Sequence, residues 1–204
     1  MIDLDALLAR EGLSPRLRLH ALCALATGRG DREAQARVIA RARALGLPRS
    51  EFEETLLQCV LFFGFPRVVT AFDVASRQWP ADSPPAGGAL PPAEQRAAGT
   101  ALFDRIYGRN ASAVHAMLRG FHAEFHDFVL EAAYGRVLAR PGLPPLDREL
   151  IAVAALAALD QVPQLIAHAR GARTFGATAL AIRETLVTAL GDQPAVDELM
   201  QRIG

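Results

Sequence analysis

One unit of helix, glycine turn and helix occurs twice in this chain, 130 residues apart. Arg18 aligns with Arg148, Ala42-Arg43 with Ala172-Arg173, Gly46 with Gly176, and Glu54-Thr55-Leu56 with Glu184-Thr185-Leu186. Such self-similarity narrows the fold to two copies of one helical supersecondary unit. Local chemistry agrees with the letters. Gly46 and Gly176 each follow a helical stretch, where a left-handed C-cap belongs. Each is also followed by a helix-start signal, Pro48 with a capping box over Ser50-Glu51-Phe52-Glu53 in one case and Thr178 in the other.

Apolar residues recur at spacings of three and four over residues 15–27, 34–46, 50–63, 97–107, 110–119, 121–139, 148–159, 163–175 and 179–190. Alternating β-branched runs are missing, so the predicted class is all-α, a multi-helical bundle of two related repeats. Residues 80–92 hold five prolines plus Gly87 and Gly88 and read as an extended connector. The expected organisation is an N-terminal repeat over 1–79, a connector over 80–96 and a C-terminal repeat over 97–204. A second break, Pro141-Gly142-Leu143-Pro144-Pro145, precedes a helix for which Asp147 is the expected N-cap.

Lys plus Arg and Asp plus Glu both total 22, and the balance gives no general field for nucleic acid or an anionic membrane. The opening MIDLDALLAR lacks the basic start and apolar core of a signal peptide, and the longest apolar run, Cys59 to Phe65, is too short to span a bilayer. The expectation is a cytoplasmic protein. Cys23 and Cys59 sit in apolar helical patterns and read as small hydrophobes. Nothing in the sequence demands a disulfide between them.

The second repeat carries polar residues that the first lacks. Gln161, Gln164 and His168 fall at i, i+3 and i+7, one face of a helix within two turns. With Glu149 from the preceding helix they are expected to line one pocket. Their first-half counterparts are Asp31, Ala34, Val38 and Leu19, so one site per chain is expected. A satisfied structural histidine is the alternative reading of His168, and a solvated first-turn residue that of Arg148. A second set, His115, His122 and His126, would lie in a narrow stripe on one continuous helix and offers a weaker, metal-binding alternative. In that reading Phe121, Phe125 and Phe128 form a separate stripe facing the core.

The series Arg148, Glu149, Gln164-Leu165-x-x-His168, Gly176 and Glu184 resembles the carboxymuconolactone decarboxylase and alkylhydroperoxidase D superfamily. The segment Phe63-Gly64-Phe65-Pro66 followed by Ala71-Phe72 is similar to the decarboxylase's tyrosine-x-Gly-x-Pro helix, with Phe62 near the tyrosine position. Tyr134-Gly135-Arg136 is similar to the approach to this domain in two-copy members. The resemblance implies a bundle of the alkylhydroperoxidase D-like type. Peroxidase members use a glutamate, two cysteines and a histidine. Glu149 and His168 match by position, but Gln161 and Gln164 stand at the cysteines, and glutamine cannot cycle through a disulfide.

The decarboxylase branch needs neither cysteine nor cofactor. The resemblance therefore implies cofactor-free acid–base chemistry, decarboxylation or a related step, on a small carboxylated lactone or oxo-acid. Members carry Glu-Leu-x-x-His where this chain has Gln164-Leu165-x-x-His168, an exchange that removes a charge but keeps a donor and an acceptor. In this reading His168 and Glu149 are catalytic, and Gln161, Gln164 and Arg148 bind substrate. The alternatives are an antioxidant protein of the alkylhydroperoxidase or peroxiredoxin-like type and a non-catalytic ligand-binding scaffold. Members of the superfamily assemble into rings, which implies a dimer, trimer or hexamer, with the run from Leu56 to Val69 as core or subunit interface.

Overall fold

The computed structural model describes residues 3–80, 88–191 and 194–204, and among them it is helical with no strand. After the short α1 (Leu4–Leu8) come α2 (Pro15–Arg29), α3 (Arg32–Ala44) and the long α4 (Arg49–Gln78). The second half contains α5 (Pro92–Tyr107), α6 (Ala111–Phe121), α7 (Ala123–Phe128) and a π-helical segment, Val129–Leu138. It ends with α8 (Pro145–Ala158), α9 (Val162–Thr174), α10 (Ala179–Leu190) and α11 (Pro194–Ile203). Of the expected Pro/Gly-rich connector, residues 81–87 lie outside the described residues.

Helix starts follow cap chemistry, though not always at the expected residue. Ser14 caps α2 by accepting from the Leu17 N–H, Asp31 caps α3 through the Ala34 N–H, and Thr178 caps α10 through the Ala181 N–H. Gly46 and Gly176 have φ of +69° and +97°, the left-handed turn expected after α3 and α9. Two expectations are corrected. The helix α4 begins at Arg49 behind Pro48 with no side-chain cap, so Ser50 lies inside the first turn. Likewise α8 begins at Pro145, and Asp147 lies in its first turn, paired with Arg16 at 2.7 Å. In both cases a proline with φ preset near −65° starts the helix earlier than a polar cap would.

The helix α8 runs through the centre of the molecule, buried at every position from Asp147 to Ala157. It packs against α2, α9 and α10, and residues Ala152 to Ala155 are fully enclosed. Small side chains there let neighbouring helices approach closely. The helix α4 is long and apolar enough to cross a membrane, by length and composition alone, with a mean hydropathy of 1.6 over its best window. This span is longer than the apolar run at residues 59–65 from which the expectation was drawn. It is also broken at Gly64, with Pro66 two residues on, and packs on α2, α3 and α8.

Two buried ion clusters tie the halves together, and each draws on both. Arg18 of α2 is fully buried and reaches across to Glu184 of α10 at 2.6 Å, to the Thr188 hydroxyl at 2.9 Å and to the Arg10 carbonyl at 3.0 Å. Arg10 completes the set at 2.7 Å from the same carboxylate. Arg148 of α8 reaches Glu54 of α4 at 2.7 Å, the Gln58 side chain at 3.3 Å and the Arg140 carbonyl at 3.1 Å, and Arg140 pairs with Glu54 at 2.6 Å. All four correspondences, 10 with 140, 18 with 148, 54 with 184 and 58 with 188, differ by 130. Neither carboxylate pairs with Arg43, which instead donates to the Gln78 carbonyl.

A buried guanidinium is tolerated only where carboxylate and carbonyl partners replace its water. The hydrogen bond from Arg10, opposed by burial and helped by Arg18, holds the Glu184 carboxyl down at about 2 against an ordinary 4.5. A depressed carboxyl stabilises the fold above its unfolded value, and the gain is lost as pH falls from about 4.5 toward 2. It corresponds to about 3 kcal/mol at neutral pH. Glu184→Ala and Glu54→Ala should each lower the unfolding free energy by about 3–5 kcal/mol, since each leaves a buried arginine unpaired. Urea unfolding followed by circular dichroism measures this, and Glu184→Gln should flatten the acid limb of the wild-type stability profile.

Candidate functional site

Two side chains on neighbouring helices meet beneath the surface of the second half. Glu149, one turn into α8, and His168, two turns into α9, place the carboxylate Oε2 3.0 Å from the ring Nδ1. Glu149 is 1% exposed and His168 8%. The pairing depends on a missing side chain. A Cβ at Gly171, one turn beyond His168, would lie 2.4 Å from Glu149 Oε2 and 3.0 Å from Ile106 Cγ2, so only glycine leaves room for the carboxylate.

Burial alone would lower the His168 pKa, but the charge of Glu149 and its hydrogen bond outweigh that and raise it above 6.5. The imidazolium thus persists to higher pH than in a free histidine, with Nδ1 held by the carboxylate. Among the described residues the ring's other nitrogen has no protein partner, and it is not one of the fully enclosed unpaired atoms. That nitrogen is the one the protein leaves unbonded. Phe62, from α4 in the first half, stands edge-on to the ring with centroids 6.5 Å apart. The site is therefore not built from the second half alone.

Gln161 and Gln164 flank this pair without entering it. Gln161 is the N-cap residue of α9, gives no side-chain cap and donates to the Leu159 carbonyl at 3.3 Å. Both glutamines are exposed in the single chain, whereas Glu149 and His168 are buried. The expected four-residue lining is thus split into a buried acid–base pair and two amides at the surface end of α9. Arg148, expected as a carboxylate clamp, is 1% exposed and directed to Glu54, Gln58 and the Arg140 carbonyl. Its donors serve the inter-half brace, and α8 turns it away from Glu149.

Two tyrosines complete the surroundings, and sequence reasoning gave them no role in the site. Tyr134 of the π-helical segment donates its hydroxyl to that of Tyr107 at the end of α5, at 3.4 Å. Burial raises both phenol pKa values, and the charge of Glu149 raises them further. These hydroxyls stay protonated beside the carboxylate. The contact that places them is a close approach of backbones, because a Cβ on Gly135 would lie 2.3 Å from the Gln95 carbonyl. The only sequence signal was the Tyr134-Gly135 pair itself.

The histidine set does not converge. The chain turns extended at His122 (φ −169°), which ends α6 and starts α7. His115 and His126 bond to each other, Nδ1 to Nε2, at 2.9 Å. Their outer nitrogens face Asp104 and Asp127, each at 2.9 Å. All four ring nitrogens are thus occupied by protein atoms, and His122 lies outside the chain of bonds. No group of three or more metal-ligating side chains is found among the described residues. The same break turns the phenylalanine stripe outward, with Phe121, Phe125 and Phe128 exposed by 68%, 48% and 65%, contrary to the expected core-facing arrangement.

The cysteines are free and buried in apolar clusters. Burial, only partly offset by a hydrogen bond from Gln35, pushes the Cys23 thiol up to about 12, and burial raises Cys59 well above 9.0. Neither has the thiolate character that peroxide chemistry requires.

Residues 123–193 match the carboxymuconolactone decarboxylase family model, a stretch that contains Glu149, Gly171 and His168. The chain is 34% identical over 70 residues to a 4-carboxymuconolactone decarboxylase of Acinetobacter baylyi, covering 34% of this chain and 52% of that protein. It is 28% identical over 131 residues to "Peroxisomal protein 2" of Schizosaccharomyces pombe, covering 63% of this chain and 62% of the relative. The chain thus spans between half and two thirds of the length of these curated relatives. Over residues 123–193 the chain is similar to the carboxymuconolactone decarboxylase family, in line with the resemblance read from its sequence, and its all-α architecture fits that family.

Gly171→Ala tests the geometry. The added methyl displaces the Glu149 carboxylate, so the raised His168 pKa should fall toward or below its ordinary value. Stability from this pair is complete below about pH 6.5 and lost as pH rises through the folded value. The variant should lose that component. Proton NMR titration of the His168 ring, assigned with His168→Ala, measures the change.

Proposed function

We propose that the Glu149–His168 pair carries cofactor-free acid–base chemistry on a small carboxylated lactone or related oxo-acid, as a carboxy-lyase. The observation that carries this reading is a buried imidazole held at one nitrogen by a carboxylate and open at the other. A carboxylate in that position fixes the ring's orientation and favours its protonated form. When the bond to the substrate carboxylate breaks, carbon dioxide leaves and the electron pair stays on the adjacent carbon as an enolate. His168 supplies the proton that this carbon takes up. The imidazole then recovers a proton from water, so the net change is loss of carbon dioxide and gain of one proton.

The substrate needs a place for its negative charge, and Arg148 is committed to the brace. The first turn of α9 offers a position instead. The N–H groups of Val162 and Gln164 have no earlier helical carbonyl to bond, and the side-chain amides of Gln161 and Gln164 stand beside them. An enolate oxygen is also served by neutral donors, and glutamine in place of glutamate avoids like-charge repulsion there. The protonated Tyr134 and Tyr107 keep the interior side of Glu149 free of a second anion.

An antioxidant role of the alkylhydroperoxidase type is the second reading, but no cysteine stands at Gln161 or Gln164, and both cysteines present are buried with raised pKa values. In this proposal the partners are a small-molecule substrate and further copies of the chain. The exposed Phe65 and Val69, in the run read as a candidate interface, and the exposed phenylalanines of α6 and α7 support self-association. The printed name of the fission-yeast relative sets a peroxisomal location beside the expected cytoplasmic one.

His168→Ala should abolish consumption of 4-carboxymuconolactone, followed by ultraviolet absorbance, while far-ultraviolet circular dichroism stays unchanged. Full activity in that variant would sink the proposal. Hydroperoxide turnover with a dithiol reductant should be absent. Turnover that disappears in Cys23→Ser would support the antioxidant reading instead.

A further inference from the structure

The first half has its own version of the site face, and there it is an open cleft. Asp31, Ala34 and Val38 stand 130 residues before Gln161, Gln164 and His168, and all three line a cleft of about 250 Å³ between α2 and α3. In the second half, the corresponding face of α9 meets Phe62 from α4, which runs on to Gln78. The helix in the equivalent place over the first half, α10, ends at Leu190. The first-half cleft is bordered by Leu4 of α1 and Thr188 of α10, and no aromatic ring is among its lining residues.

The chemistry of this cleft differs from that of the acid–base site. Val38 replaces the histidine and Leu19 the glutamate, so that face has no counterpart of the acid–base pair. Leu22, Leu25 and Val38 give it an apolar wall. Its mouth carries Arg29 and Arg37 against Asp31, one net positive charge. Asp31 is engaged as the N-cap of α3, and Arg37 pairs with Glu33 one turn away on the same exposed surface, a weak partner. Arg29 makes a long bond of 3.4 Å to the Ala189 carbonyl and has no carboxylate partner among the described residues. A planar, permanently charged guanidinium at the lip of an apolar cleft fits a carboxylate whose other end is hydrocarbon.

We propose that this cleft is a second, non-catalytic binding site for a small apolar monocarboxylate. Its hydrocarbon part lies against Leu22, Leu25 and Val38, and its carboxylate sits on Arg29. The volume, just below the roughly 300 Å³ at which drug-sized pockets begin, restricts the ligand to about the size of benzoate or hexanoate. The inference goes beyond the reading of Glu149 and His168 and does not rest on it.

Isothermal titration of the full chain with hexanoate, benzoate and uncharged hexanol tests it. Hexanoate and benzoate should bind saturably and hexanol at least tenfold more weakly. Arg29→Gln should weaken hexanoate at least tenfold while leaving hexanol unchanged. Ala34→Phe, which fills the cleft from a half-buried helical position, should abolish binding with helical content retained. His168→Ala should leave hexanoate binding as it is. No saturable binding, equal binding of hexanol, or full affinity in Arg29→Gln would overturn the proposal. So would loss of hexanoate binding in His168→Ala with retention in Ala34→Phe, since the carboxylate would then occupy the other site.

Discussion

The reciprocal exchange of a buried arginine for the other half's glutamate is the constraint from which the rest of this structure follows. Arg18 cannot be satisfied within its own half, nor can Arg148, because the carboxylates that meet them stand on α10 and α4 respectively. Each half is therefore needed to neutralise the other. The exchange sets α2 and α8 side by side in the middle of the molecule and draws α4 and α10 over the opposite units. An apolar core alone would tolerate sliding between Ala-rich helices. Two directional ion clusters built on the fully buried Arg18 and Arg148 do not, because a small displacement would strip a buried charge of its partner.

That brace also decides what the acid–base pair looks like. Adjacent residues on α8 serve different ends, Arg148 toward the other half and Glu149 toward α9. Fixing one fixes the other, since neighbouring helical side chains diverge by about 100°. With α8 held, the Glu149 carboxylate has only the space left by Gly171, and His168 is the group it meets there. The brace brings α4 across as well, which is why Phe62 from the first half stands over the second half's histidine. The same brace thus leaves the two faces unlike. One face received a glutamate, a histidine and an aromatic roof, and its counterpart kept an apolar cleft with an arginine at its mouth.

Much of this was legible before any coordinates. Helical class and the glycine turns at Gly46 and Gly176 reflect short-range or periodic signals, which survive in a single sequence, whereas the partnership of Glu149 with His168, on two different helices, was legible through the family resemblance. The misreadings share one cause. Ser50 and Asp147 were plausible caps judged by their own chemistry, but a proline upstream had already started each helix. Phe121, Phe125 and Phe128 form a proper stripe only on an unbroken helix, and the extended turn at His122 redirects it to the surface. Tyr107 and Tyr134 come from segments 27 residues apart, and no spacing rule connects them to Glu149.

The sequence by itself determined the helical class, the glycine turns at Gly46 and Gly176, and the absence of a cysteine pair at Gln161 and Gln164. Each of these depends on residue identity and on distances along one helix, which the backbone geometry converts directly into positions. Only the tertiary structure decided that Arg148 is a brace and not a clamp, that the glutamines stay at the surface, and that the first half holds an open cleft. Those outcomes depend on which charges are desolvated together and on which helices border each face, and both are properties of packing between segments far apart in the chain, 94 residues for Arg148 and Glu54.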